Sequence, residues 1–518
     1  MNDWLKLQKD LYQDSRSEVA HLLGRKPLSL QRYEKVFLQD QKFWKDSSFS
    51  SFVSALNKSD FFFLGDFHTL RQSQRTLLRL LRDPQIMSPK VLALEVIRAG
   101  SEEKILGLLK KGRLSQVREL LAIERRFGSA FETYQEILEI CIRKKIKLIG
   151  LSSNSKTLSQ RDQFAANLIA KETKVWILFG EHHCARPHLP ALVAALHPRS
   201  SAVVLQQNDD RLSLQRLSLL QKKSQVLKAP IGKFPQIALF NYLHTPVWMK
   251  WQSFLEWHLH SPEDYQSEFT SQIDAREQML WCLRTLYDFL EDARYPLDFS
   301  FKELSDVEVF ESAFTNFDKR WNKFGTALKR SLISQLRISP LAVAVVERKI
   351  FLAEVTVNSC AHAAASYLLR RSSQIDNDDQ DFFVGTFVEA MSFFLSKILN
   401  HSRRAHTWSD WTEMTKNPRF KKEALAVLTA SQFPLRWQQS KRWLRSLGIP
   451  PAKLKAHLGR ILADALFEAF LAGEFSKARL LRLMMTPIHH SQDAFERLVE
   501  LKSVGSPFAS GSGKSFPR

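Results

Sequence analysis

The stretch FFFLGDFHTL (61–70) decides how this chain is read. Four apolar residues run into Gly65, then an acid, Asp66, and an imidazole, His68. A second stretch, VWILFGEHHCARPHL (175–189), repeats the order: an apolar run, Gly180, Glu181, then His182 and His183. A short run that is apolar at every position reads as a strand covered on both faces, the habit of a parallel sheet. In such a sheet ligands bind beyond the carboxyl ends of the strands. Two copies of glycine–acid–x–histidine at two strand ends therefore predict one crevice. Glycine fits both positions if the chain turns sharply there and a Cβ would obstruct it.

Outward from these runs the same texture continues. VLALEVI (91–97), IKLIGLS (146–152) and SAVVLQQ (201–207) are further short apolar runs. Between them lie RQSQRTLLRLLRD (71–83), a long stretch over 101–145 and TLSQRDQFAANLIAKE (157–172), with apolar residues at helical spacing. Strand–helix–strand alternation implies a parallel sheet with right-handed crossovers. The expected organisation is an N-terminal helical segment over 1–57, with Trp4, Phe37, Phe43 and Trp44 among charges, and an α/β domain over 58–225. A helical insert is expected at about 100–145. An all-α region is expected over 226–502, and a Ser/Gly-rich disordered tail over 503–518. The fold class is thus α/β, a parallel sheet flanked by helices, followed by a mostly α-helical C-terminal region.

The 518 residues carry a net charge of +21, which favours anionic partners. The Lys and Arg are spread along the chain, and no zinc-finger, Walker or RNP-like pattern accompanies them, so nucleic acid is not the expected partner. An anionic membrane surface remains compatible with the charge. Cys141, Cys184, Cys282 and Cys360 stand far apart and form no CxxC motif. No secretory or lipoprotein signal and no run of roughly 18 apolar residues is seen, so the expected location is cytoplasmic.

Glu95, inside LALEV, adds a carboxylate to the predicted crevice. An unpaired carboxylate in an apolar strand costs several kcal/mol, so it must meet a partner or a wet cleft. Two imidazoles with Asp66, Glu95 and Glu181 could ligate a divalent metal through N and O donors. They could equally work as an acid–base set around a water. No HExxH-type spacing is present, so a metal set of His68, His183 and Glu95 depends on convergence in space.

Taken in order, GDFH (65–68), Glu95 and GEHH (180–183) resemble the Tiki superfamily, and within it most closely the ChaN-like haem-binding uptake proteins. TraB-like proteins, erythromycin esterases and Tiki metalloproteases are other branches. Asp66 stands where that pattern commonly has Glu. QRDQFAANLI (160–169) resembles an Arg–Asp-bearing helix of the family, which adds Arg161 and Asp162, and FETYQEILEICIRKKIKLIGL (131–151) resembles the stretch leading into its third strand. The resemblance covers about 55–210. It implies haem, or a divalent metal such as Mn, Co, Fe or Zn, as cofactor. It also implies His68, Glu95, His183, Glu181 and Asp66 as reacting groups, with Gly65, Gly180, His182, Arg161 and Asp162 as binding groups. Three functions stay open: binding of haem or a metal-centred ligand, hydrolysis of an ester or peptide, and a non-catalytic interaction role for the basic helical region. A small-molecule or haem ligand is the expected partner, and a homodimer is compatible. No motif selects a haem-ligating tyrosine, although Tyr134 and Tyr242 are present. Trp248, Trp251 and Trp257 are expected in packing, IHHSQD (488–493) as a solvated turn, and His362 as a core histidine.

Overall fold

The computed structural model describes residues 2–504 apart from 25, 41–43, 128–130, 156, 208–209, 211, 213, 215–216, 218–225, 231–232, 244, 260–274, 292–295, 312–324, 327–331, 333–334, 337–340, 376–380, 407, 417, 419 and 432–450. Phe43 and nearly all of the tail expected as disordered lie outside the described residues. The chain divides into two compact units. One comprises Lys9–Phe269 with the last five residues, and the other comprises Met1–Gln8 with Thr270–Gly513.

The first unit is built on an eight-stranded sheet. Its strands are β1 (Lys45–Ser47), β2 (Phe61–Asp66), β3 (Val91–Arg98), β4 (Lys147–Ser152), β5 (Val175–Gly180), β6 (Ala202–Gln207), β7 (Val226–Lys228) and β8 (Ile237–Tyr242). The order is β1-β7-β8-β6-β2-β5-β3-β4. Strands β8, β6, β2, β5, β3 and β4 run parallel, and β7 is antiparallel to both of its neighbours. The sheet thus continues past residue 225, where the alternation was expected to stop. The short β7 and the mixed IALFNY run of β8 lack the all-apolar texture of the central strands.

Successive side chains of a strand point to opposite faces, and both faces here are apolar. Phe62, Leu64, Leu92, Leu94, Trp176 and Leu178 pack under helices Phe49–Lys58, Arg71–Arg82 and those between 102 and 144. Phe61, Phe63, Val91, Ala93, Ile177 and Phe179 pack under Leu158–Ile169 and Leu189–Leu196. At about 25 cal/mol per Å² of apolar area removed from water, two such faces are the main favourable term in forming the sheet.

One irregularity bears on function. The pairing of β3 with β4 slips between Leu94 and Arg98, beginning at Glu95. A Cβ on Gly150 would stand 2.7 Å from the carbonyl oxygens of Ile97 and Arg98, so glycine lets the bulged strand lie across β4.

The second unit is mostly helical but not all-α. A small sheet of β9 (Glu308–Glu311), β10 (Leu341–Ala344) and β11 (Lys349–Leu352), in the order β10-β11-β9, accompanies helices such as Val357–Ser372, Phe382–Leu399 and Pro451–Ala472. These strands are four residues long, too short to interrupt the helical spacing expected over 226–502. Among the described residues only Phe382–Leu399 is long and apolar enough to cross a membrane, and 89% of that window is buried. Asp381 caps this helix by accepting from the Phe383 and Val384 amides. His362 is buried beside Glu389, and His489 and His490 give their amides to Asp493 in a turn.

Candidate functional site

Strands β2 and β5 are direct neighbours, in a register that sets Gly65 opposite Phe179 and Asp66 opposite Gly180. Strand β3 flanks β5 on its other side. Three adjacent parallel strands therefore end together, and their ends carry Asp66, Glu95 and Glu181.

Neither glycine has a positive φ, so neither serves a sharp turn, and only Gly65 serves close approach. A Cβ on Gly65 would collide with Gln206 Oε1, and Gln206 Nε2 donates to the Glu181 carbonyl at 3.1 Å. A Cβ on Gly180 would meet His183 Cδ2 at 3.4 Å, Glu95 Oε2 at 3.5 Å and His68 Nε2 at 3.5 Å. These are ordinary contacts, so a methyl would fit before Gly180, among three polar side chains.

Each imidazole is backed by an aspartate. His68 Nδ1 lies 2.9 Å from Asp66 Oδ2, and its Nε2 lies 3.6 Å from Glu95 Oε2. Gln74 Nε2 donates to the other Asp66 oxygen and to the His68 carbonyl. Glu95 Oε2 accepts from the Gly180 amide at 2.7 Å. Burial opposes charge on His68, but Glu95 and Asp66 outweigh it and raise its pKa from 6.5 to about 9. Its side chain is 31% exposed, the most open group of the set. Phe127 stands edge-on against it at 4.9 Å, with the Arg126 guanidinium over Phe127.

His183 is buried. Its Nδ1 lies 2.5 Å from Asp162 Oδ1, and Tyr33 donates to Asp162 Oδ2 at 2.6 Å. Glu181 points elsewhere, to Lys250 Nζ at 2.8 Å, and Lys250 also lies 3.6 Å from Asp210. His182 packs on Phe37, and burial with the nearby Lys250 lowers its pKa to about 3. Arg161 is exposed, with its Nε directed to the Ser155 carbonyl at 3.5 Å, and does not join the set. Among the described residues no three or more His, Cys, Asp or Glu side chains are grouped to hold a metal ion.

Residues that sequence reasoning passed over complete the walls. Tyr33, Phe37 and Asp40 come from helix Leu28–Asp40, Gln74 from Arg71–Arg82, Gln206 from β6 and Lys250 from Val247–Leu259. The spacing of 33, 37 and 40 marks one helix face, but not what that face meets. Tyr134 is buried in the helical layer, and Tyr242 ends β8.

Residues 52–163, roughly a fifth of the chain, match the family model described as haem-binding uptake, Tiki superfamily, ChaN. The matched span holds Gly65, Asp66, His68, Glu95 and Asp162, and it ends before Gly180 and His183. No curated protein and no solved structure matches at a significant level.

Proposed function

We propose that the crevice before Gly180 binds haem or another metal-centred ligand, with His68 Nε2 as the donor to the metal and Glu95 beside it. The observation that carries this reading is the His68 pair: Nδ1 is held by Asp66, Nε2 lies 3.6 Å from Glu95 Oε2, and the side chain is 31% exposed. A carboxylate behind a ligating imidazole fixes its tautomer and raises its basicity. The description of the matched family, haem-binding uptake, supports the same class of ligand.

The donor set favours haem over a caged ion. Glu95 Oε2 already accepts from the Gly180 amide, the Nδ1 edge of His183 is taken up by Asp162 and Tyr33, and among the described residues no three or more His, Cys, Asp or Glu are grouped to hold a metal ion. Haem would ask less of the chain, since the macrocycle itself would supply most of the donors to its iron and one side chain, His68, would complete the hold. When bound, haem would supply redox or gas-ligand chemistry at its iron. The chain's part would be to orient His68 through Asp66 and to cover one side with Phe127, and binding at Nε2 would have to displace the proton that Glu95 and Asp66 help the ring retain.

Absorbance titration of the full chain with haemin tests this. Wild type is expected to show a saturable Soret shift at one equivalent, and His68→Ala at least a tenfold loss of affinity. Equal binding by both would remove His68 as the donor.

A second reading rests on the charge of His68. An imidazolium 3.6 Å from a carboxylate is an acid–base pair that could work on a water and an ester or peptide. Turnover by wild type that is lost in both His68→Ala and Glu95→Gln, without haemin binding, would favour hydrolysis.

A further inference from the structure

We propose that Tyr33, brought by helix Leu28–Asp40, is a positioning residue that fixes the His183 ring with Nδ1–H turned inward and Nε2 facing the crevice. The inference extends the crevice reading to residues outside the family-matched span, and its geometry stands apart from that reading.

Three short contacts close a triangle. The Tyr33 hydroxyl lies 2.6 Å from Asp162 Oδ2 and 2.9 Å from His183 Nδ1, and Asp162 Oδ1 lies 2.5 Å from the same nitrogen. A phenol has one proton to give, and a carboxylate only accepts. If Tyr33 gave its proton to Nδ1, the bare nitrogen and an Asp162 oxygen would face each other lone pair to lone pair. With the phenol donating to Asp162, both oxygens around Nδ1 accept from one Nδ1–H, and every contact is satisfied. Burial and the neighbouring Asp162 push the Tyr33 pKa well up, so the phenol keeps its proton.

The Cδ2 side of the ring, away from Nδ1, is turned toward Gly180. His183 Cδ2, bonded to Nε2, is the atom nearest to where a Gly180 Cβ would stand, beside Glu95 and His68. The Tyr33 ring is stacked on His188 at 3.8 Å and 17°, and His188 Nδ1 is tied to the His182 carbonyl at 2.7 Å. Phe37 on His182 and Asp40 on Arg186 seat the same helix face one and two turns along. The hydroxyl therefore sits on a held ring.

The test uses the ligand-free full chain, ¹⁵N-labelled at histidine, with Tyr33→Phe, which keeps the stacking ring. Wild type should show a downfield Nδ1–H resonance and a bare Nε2 for His183. In Tyr33→Phe that resonance should move, and haemin affinity should fall 10–100-fold, the range for losing an orienting partner of a site histidine. Unchanged His183 nitrogen and proton shifts in Tyr33→Phe overturn the proposal whether or not haemin binds. A shift that moves in a wild-type protein that takes up no haemin supports Tyr33 and counts against the haem reading alone. Should Tyr33→Phe not fold, the wild-type spectrum alone still reads the triangle: a proton on Nε2 with a bare Nδ1 at His183 overturns the proposal.

Discussion

At the scale of single residues, the two motif glycines make opposite predictions. Ala at 65 must displace the Gln206 amide, which is itself bonded to the Glu181 carbonyl. Gly65→Ala should cost about 1–3 kcal/mol in denaturant unfolding, the usual range for overpacking, and adding Gln206→Ala should return part of it. Ala at 180 meets its neighbours at 3.4–3.5 Å and should leave stability within about 0.5 kcal/mol. Its methyl fills the space between His68, Glu95 and His183, so haemin affinity should drop at least tenfold. Equal unfolding midpoints for the two variants would contradict the packing described.

His68 supplies a pH prediction. Its folded pKa of about 9 exceeds the ordinary 6.5, with Asp66, Glu95 and Glu181 all raising it. A raised pKa stabilises the fold fully below about 6.5, and the contribution is lost as pH rises through about 9. At about 1.4 kcal/mol per unit of pKa the rise sets a ceiling of about 3.5 kcal/mol, and solvent screening of the partly exposed ring lowers it, so wild type should lose on the order of 2–3 kcal/mol more than His68→Gln between pH 6 and pH 10. Urea unfolding of both proteins across that range checks it. Parallel curves would show that the His68–Glu95 pair carries no charge.

At the scale of elements, helix Leu28–Asp40 carries the groups that meet the second motif: Tyr33 at His183, Phe37 at His182 and Asp40 at Arg186. Asp40 accepts from Arg186 Nε at 2.8 Å and from its backbone N–H at 2.9 Å, and both side chains are under 10% exposed. Removing one partner of a buried pair leaves the other uncompensated, so Asp40→Ala should cost about 3–5 kcal/mol, read from denaturant midpoints. The site should loosen with it, since the same face carries Tyr33 and Phe37. A loss below about 1 kcal/mol would mean that the helix is not held this way.

At the scale of the whole molecule, the division at residue 269 puts every site residue in one unit. That unit has its own two-faced core, so residues 9–269 expressed alone should unfold cooperatively and bind haemin within a few-fold of the full chain. Circular dichroism and the same titration check this. A fragment that stays unfolded would show that the unit depends on the rest of the chain. The net charge of +21 belongs to this scale too, and bears on solubility and anionic surroundings rather than on the crevice.

Much of this was legible beforehand because buried parallel strands leave a local mark. The runs at 61–64, 91–94 and 175–179 are apolar at every position, and each ends at the acid or glycine that reaches the rim. Strand direction then puts Asp66, Glu95 and His183 at the same end of their strands. Strands β7 and β8 were missed because a short antiparallel strand and a mixed one carry no such mark, and the four-residue strands of the second unit are shorter than one helical repeat of pattern. Sequence also could not order β2, β5 and β3 as neighbours, aim Glu181 at Lys250, turn Arg161 to solvent, or lay Tyr33 on His183 across 150 positions. Period and polarity are written residue by residue along the chain. Which surfaces meet is settled only when the sheet and helices pack, because that choice depends on the joint fit of all of them.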